Sequence, residues 1–413
     1  MLKQTGITDD IANEYVTFVH GDLGGSERLL SAQLFRSIES TPLAQFKGVV
    51  DVPGLFHTVM ASADAVFRLH VLPGDARRDE TAPSVFKYIK LLLPKPVEHN
   101  KFKSSSPGPS FRRAHDTFTN IMNGLLLECW LREAALWNPS CTTLSSFASE
   151  LKKVGNAAEA WRVIEKISLD IAKKYVAGPD FYETRSQPDE NRDCIQENWQ
   201  LYLAHTLIHT DLYHSIKLQD VGRVVYAVFH LLFIFAASKK NKYASHMTRV
   251  LHNLAYVFPD PLREAFLTSW TINPSGKAGG GRGVDWLVEL FNLYLKVVHS
   301  GASSNFGLEQ IIKVSTLIKL YKVAFQNFVL SYHLVGRTTK HGAPDMTETL
   351  DRLRRVMRAD GILDHQPGRS SKYEVPDAMA VGQHMFMTGR AGGLEEEHET
   401  ETIHIDFDDF ELE

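Results

Sequence analysis

The chain has 413 residues, of which 44% are hydrophobic, 10% aromatic and 23% charged, and a formal net charge of −4. That length suits two to three domains of ~150 residues, and the balance excludes a wholly disordered, collagen-like or coiled-coil chain. The charge is unevenly placed: residues 395–413 carry ten acids and no Lys or Arg, so 45 basic residues face 39 acids over the rest and leave a body of +6.

The predicted elements begin with a short β-branched and aromatic run, Val16–His20, ending at Gly21-Asp22. Ser26–Ile38 follows with Leu29, Leu30, Leu34 and Ile38 at helical spacing. Gly48–Val52 is a second short apolar run stopped by Pro53-Gly54, and Leu55–Val71 returns to helical period. Strand, helix, strand, helix is the pattern of a parallel α/β unit. Two strands make only part of such a sheet, so either more strands lie elsewhere or the chain begins partway through a domain.

From about Ala82 to Tyr332 the pattern is nearly all helical, with helices predicted over Phe111–Trp137, Ala157–Tyr175, Asn198–Lys217, Val221–Ala237, Tyr243–Phe258, Pro261–Ile272, Asp285–His299 and Leu308–Leu334. Breaks fall at Ser104–Pro109, Gly178–Asp189, Pro259-Asp260-Pro261 and the glycine-rich Asn273–Gly283. The longest apolar stretch, Val224–Ala237, is shorter than the ~20 residues that span a bilayer and contains His230, so it reads as a core helix and no membrane span is expected. Asp345–Ala359 is a further helix, with Glu348 three residues after Asp345 in the manner of a capping box and Arg352, Arg354, Arg355 and Arg358 clustered on it. Residues 364–413 read as disordered.

Three cysteines, Cys129, Cys141 and Cys194, show neither a disulfide framework nor a zinc spacing, and with no signal-peptide core the chain reads as intracellular. The loop Asn273–Gly283 carries Lys277 but not the phosphate-loop spacing, since Ala278 stands where a metal-binding Ser or Thr belongs. His205 and His209 are spaced i,i+4, with His214 nearby, a geometry open to metal ligation but more ordinary in packing. No nucleophile elbow is present. Among the acids, Asp22 stands at the C-terminal end of the first strand and Asp51 at that of the second, with His57 just inside the following helix. Asp285 and Glu289 share a helix face. Brought together, such acids would hold Mg²⁺ for attack on a phosphodiester; taken singly, each serves as a cap, a turn residue or a solvated charge. The tail alternates Ile403, Ile405, Phe407 and Phe410 with Asp406, Asp408 and Asp409, either a solubilising segment or a partner-binding motif over residues 400–413.

Several blocks carry a family resemblance: Gly21-Asp22, Val52-Pro53-Gly54-Leu55-Phe56-His57, Asp220-x-Gly222-Arg223, Lys242-Tyr243-Ala244, Ile272 to Lys277, and Asp285-x-x-x-Glu289-x-x-Asn292-x-x-x-Lys296. Over roughly residues 16–335 the chain resembles an uncharacterised family, expanded in mushroom-forming fungi and catalogued only as a domain of unknown function. That family in turn is similar to transposase-derived proteins with an RNase H-like core split by a helical insertion, as in hobo-Activator-type elements. The resemblance implies that Asp22, His57 and Glu289 match the second Asp, the His and the Glu of that pattern, as catalytic residues with Asp22 and Glu289 as the Mg²⁺ ligands. The Asp of the first strand has no counterpart here. The implied protein is therefore a relic whose catalysis is impaired.

The resulting expectation is a mainly α protein of ~10 to 12 helices: an N-terminal α/β piece over 1–75 (partial RNase H-like), a helical domain over 76–340, and a short basic helix with a disordered acidic tail over 341–413. Two functions are expected of it. The first is a transposase-derived nucleic-acid-binding or -processing protein that contacts DNA through Arg223, Lys277, Arg282 and Lys296. The second is a non-enzymatic helical interaction protein whose tail recruits a protein partner. A nuclear location accords with the first, although the basic run Arg352–Arg358 is interrupted.

Overall fold

The computed structural model describes residues 6–79, 82–105, 108–299, 308–333 and 344–391, with the backbone alone at 291, 293–299, 308, 311 and 315. In chain order the elements are α1 (Asp9–Glu14), β1 (Thr17–Gly21), α2 (Leu23–Phe35), β2 (Val49–Pro53), α3 (Leu55–His70), α4 (Gly74–Arg78), α5 (Val85–Leu92), α6 (Pro96–His99), α7 (Phe111–Trp137), α8 (Leu144–Leu151), α9 (Ala157–Tyr175) and α10 (Phe181–Arg185). They continue with α11 (Cys194–Leu218), α12 (Val221–Ala237), α13 (Asn241–His252), α14 (Asp260–Ser269), β3 (Thr271–Ile272), β4 (Arg282–Gly283), α15 (Val284–His299), α16 (Leu308–Ser315), α17 (Ile318–Ser331), α18 (Thr347–Ala359) and α19 (Ala378–Met387). The chain is thus mainly α.

β1 and β2 pair in parallel from Thr17 opposite Val49 to Gly21 opposite Pro53, with α2 as the crossover that a parallel pair requires. The helices start where short polar side chains accept their first free N–H groups: Asp22 for α2, Asn156 for α9, Asp193 for α11 and Asp220 for α12.

α3 is the centre of the packing, and Arg68 is its only residue that is not buried. Its polar residues are matched within the core. Thr58 donates to the Gly54 carbonyl at 2.7 Å, and Asp64 lies 2.6 Å from buried Lys240 and 2.9 Å from Arg68. α11, α7, α15 and α12 pack around α3, and one contiguous apolar core runs from Val52 on β2 to Ala378 on α19. α12, which carries the longest apolar stretch, is enclosed by α11, α13 and α19. No helix of the described residues is long and apolar enough to cross a membrane.

Four segments differ from the sequence expectation. The helix expected to end at Phe258 closes in a π-helical turn, Asn253–Val257, before Pro259. The helix expected to reach Ile272 stops at Ser269, because Trp270 turns inward to donate Nε1–H to the Pro53 carbonyl at 2.9 Å and Thr271–Ile272 then pairs with Arg282–Gly283. Leu308–Leu334 divides into α16 and α17. Residues 364–391, expected to be disordered, are ordered. Arg369 forks onto Asp193 at 2.7 and 2.9 Å, and Asn198 brackets the Tyr373 carbonyl and the Val375 N–H. α19 then lies so close on α12 that a Cβ at Gly382 would meet the Phe233 carbonyl oxygen at 2.1 Å. Residues 392–413, with the acidic tail and its partner motif, lie outside the described residues.

Candidate functional site

α3 begins at Gly54, which has no side chain to cap the helix, so its first N–H groups need another acceptor. Asp285, at the start of α15, supplies it across the fold. Its Oδ1 accepts from Phe56 N–H and its Oδ2 from His57 N–H, both at 3.0 Å, with the side chain almost wholly buried. An anion at this position also meets the positive end of the helix dipole. Two glycines make the approach sterically feasible. A Cβ at Gly54 would stand 2.1 Å from Asp285 Oδ2, and one at Gly283 would stand 2.6 Å from Oδ1. The glycine-rich loop, expected to be an interhelical linker, is instead the turn of the β3–β4 hairpin that delivers Asp285. Gly276 and Gly279 adopt positive φ, and Asn273 Oδ1 accepts from Gly276 N–H at 3.0 Å.

The same carboxylate orients His57. Nδ1 lies 2.9 Å from Asp285 Oδ2, and since a carboxylate only accepts, Nδ1 carries the proton. That leaves Nε2 facing Glu289, whose Oε1 is 3.9 Å away, an electrostatic approach longer than a hydrogen bond. Two of the three predicted catalytic residues, His57 and Glu289, are therefore brought together. Asp22 is exposed, and its carboxylate caps α2 by accepting from Gly25 N–H at 2.7 Å. Asp51 sits within β2, accepts from Ser26 Oγ at 2.7 Å and pairs with Arg249 of α13. His20, at the end of β1, stands in the field of both Asp285 and Asp51; burial pushes its imidazole down against the upward pull of those charges. Neither His20 nor Arg249 stood out in the sequence, because each acquires its carboxylate neighbour only on folding.

These residues do not present the donor set of a Mg²⁺ site. Asp285 gives both oxygens to N–H donors, and Asp22 spends an oxygen on its helix cap. Among the described residues no group of three or more His, Cys, Asp or Glu is arranged to hold a metal ion. What the cluster offers is an oriented imidazole between two carboxylates, able to hold or pass a proton at Nε2.

Of the expected nucleic-acid contacts, Arg282 stands in β4, with its guanidinium 5.6 Å from the centre of the Trp286 ring. Lys277 is exposed on the hairpin turn, and Arg223 is exposed on α12, where it pairs with Asp211. Lys296 belongs to α15, with its side chain outside the described residues. His205 and His209 each pair with another histidine rather than with one another: His205 Nδ1 with His70 Nε2, and His209 Nε2 with His115 Nδ1, both at 2.9 Å. His209 Nδ1 also meets Ser62 Oγ at 2.6 Å. The three cysteines are free, Cys129 and Cys141 being buried.

Residues 1–341 match the family of unknown function DUF6589. The chain belongs to that family. No curated protein and no solved structure matches it. In this DUF6589 protein the matched region takes in β1, β2 and the whole Asp285–His57–Glu289 arrangement, whereas α18 and the strap ending in α19 lie beyond it.

Proposed function

We propose that this DUF6589 protein binds nucleic acid on a scaffold descended from a transposase with an RNase H-like core, and that its carboxylate site now serves structure and binding rather than cleavage. One observation carries the reading: Asp285 meets His57, 228 residues away, with Glu289 3.9 Å from the same imidazole, just past the C-terminal end of two parallel strands. Strand-edge acids and a helix-opening histidine, closed by a glutamate helix after an insertion, are the order the resemblance implies. The commitment of Asp285 and Asp22 to capping N–H groups supports impaired catalysis. The +6 body supports a polyanionic ligand, and Arg223, Lys277, Arg282 and Lys296 are the contacts assigned to it, with DNA in the nucleus as the natural target. The test is fluorescence polarisation with labelled single- and double-stranded DNA from 50 to 300 mM salt, on the full chain and on a chain ending at residue 394. Binding whose log affinity falls linearly with log salt supports the proposal; absence of binding at 50 mM in both chains refutes it.

A second reading, a helical interaction protein, is favoured by α17, which carries Leu320, Phe325, Phe328 and Leu330 exposed along its length. Residues 400–413 are its other proposed contact. Pull-down by a chain lacking residues 395–413 separates the two surfaces: a partner kept by this chain is held by α17, and a partner lost belongs to the tail.

A further inference from the structure

Beside the Asp285 clamp, α3, α7, α11 and the β4–α15 junction line a solvent-open cleft of about 100 Å³. Its walls combine two chemistries. Phe56, Phe111, Tyr213 and Trp286 supply aromatic surface, and Arg112, Lys217 and Arg282 supply positive charge. Two of the cations already lie against ring faces: the Lys217 ammonium is 5.2 Å from the centre of Tyr213 and the Arg282 guanidinium 5.6 Å from that of Trp286. Asp116, also on the rim, is paired with Arg112 at 3.7 Å. Gly281 keeps one wall thin, because α11 approaches so closely that a Cβ there would stand 2.2 Å from the Ile216 carbonyl oxygen. Phe56 belongs to both places, lining the cleft with its ring and donating its N–H to Asp285.

We infer that this cleft is a nucleotide pocket, which takes one unstacked base against its aromatic wall and its phosphate on Lys217, Arg282 and Arg112. A planar ligand with an anionic end satisfies both chemistries at once. An aromatic cation would meet an excess of positive charge, since Asp116 offsets Arg112 alone, and a sugar phosphate would leave the rings uncovered. The inference deepens the nucleic-acid reading and rests on it for the ligand's source, a single-stranded segment rather than a free nucleotide. Stacking does not read base edges, so the pocket accepts purines and pyrimidines alike.

The test uses the full chain with AMP, dTMP, ribose 5-phosphate and inorganic phosphate by isothermal titration calorimetry, and a labelled 15-nucleotide oligothymidylate by polarisation. The pocket predicts that AMP and dTMP bind at least tenfold more tightly than ribose 5-phosphate. Tyr213→Leu is expected to weaken AMP about tenfold, and Lys217→Gln or the exposed Arg112→Gln to weaken it several-fold with unchanged melting. Lys166→Gln on α9, away from the cleft, is expected to leave it as it was. AMP displaced by the oligonucleotide supports both pocket and source. AMP binding without oligonucleotide binding keeps the pocket, assigns it to a free nucleotide and refutes the nucleic-acid reading. Oligonucleotide binding untouched by the cleft variants, with no AMP binding at 10 mM, overturns the pocket and leaves that reading standing. Absence of both overturns both.

Discussion

His57 Nδ1 and Asp285 Oδ2 lie 2.9 Å apart although 228 residues separate them, and the same carboxylate accepts the N–H groups that open α3. One side chain thus fixes the start of the central helix, the tautomer of its histidine and the docking of α15. Replacing Asp285 by Ala removes a helix cap worth about 1 kcal/mol and charge-assisted hydrogen bonds worth about 1.5–3 kcal/mol. A loss of about 2–4 kcal/mol in urea unfolding is expected. Gly54→Ala is expected to cost about 1–3 kcal/mol by overpacking. Its cost should shrink in the Asp285→Ala background, because the nearest atoms, Oδ2 at 2.1 Å and Cγ at 2.3 Å, are then gone. Strict additivity would show that the two residues do not meet.

The buried histidines predict an acid-side loss of stability. Burial lowers His205 to about 4 and holds His70 and His209 well below their usual value. The unfolded chain, with histidines near 6.5, binds more protons than the folded one between that value and about 4. Stability is therefore full above about pH 6.5 and falls as pH drops toward 4, at about 1.4 kcal/mol per pH unit for each such histidine. Denaturation midpoints from pH 8 to 4.5 check this, and His205→Gln should flatten the slope. A midpoint independent of pH below 6.5 would contradict the account.

Among the basic residues of α18, Arg354 turns inward and the half-exposed Arg358 reaches the same acid from the rim. Arg354 Nη1 lies 3.0 Å from Glu128 of α7, Arg358 approaches the same carboxylate at 2.7 and 2.9 Å, and Arg132 adds a contact at 3.3 Å. Glu128 is 1% exposed, and Glu128→Ala removes the carboxylate that the three guanidinium groups share; because Arg354 keeps Asp351 and Arg132 keeps Asp364, a loss of about 1.5–3 kcal/mol is expected. Trypsin should then cleave within 352–358 while the wild type resists. Equal resistance would place the arginines on a solvated face.

Mn²⁺ at 1 mM is expected to stay unbound at the His57 cluster, because the Asp285 oxygens are engaged by N–H donors. The electron paramagnetic resonance signal of free Mn²⁺ measures this directly. A bound fraction lost in Glu289→Gln would instead reveal a retained metal site.

Where structure follows local period, the sequence announced it. Phe111–Trp137 and Val221–Ala237 are helical over the expected bounds because their apolar residues repeat without a breaker. The two parallel strands were legible from short β-branched runs ending at glycine or proline. The role of Asp285 was not, since an acid beside a helix start looks like that helix's own first-turn charge and the helix it caps lies more than 200 residues upstream. β3 and β4, two residues each, leave no periodicity to read. The strap 364–391 was hidden for a related reason: its anchors are single side chains, Arg369 on Asp193 and Val375 in a small apolar cluster with Phe181 and Leu201, rather than an amphipathic stripe. His205 and His209 read as a pair, whereas their partners, His70 and His115, come from other helices.

The most direct test of the central claim is hydrogen–deuterium exchange of the full chain with and without a saturating single-stranded oligonucleotide. The account predicts added protection in the β3–β4 hairpin, at the start of α3 around Phe56 and His57, and in the first turns of α15. Protection confined to α17 or to the acidic tail, with these segments unchanged, would contradict it.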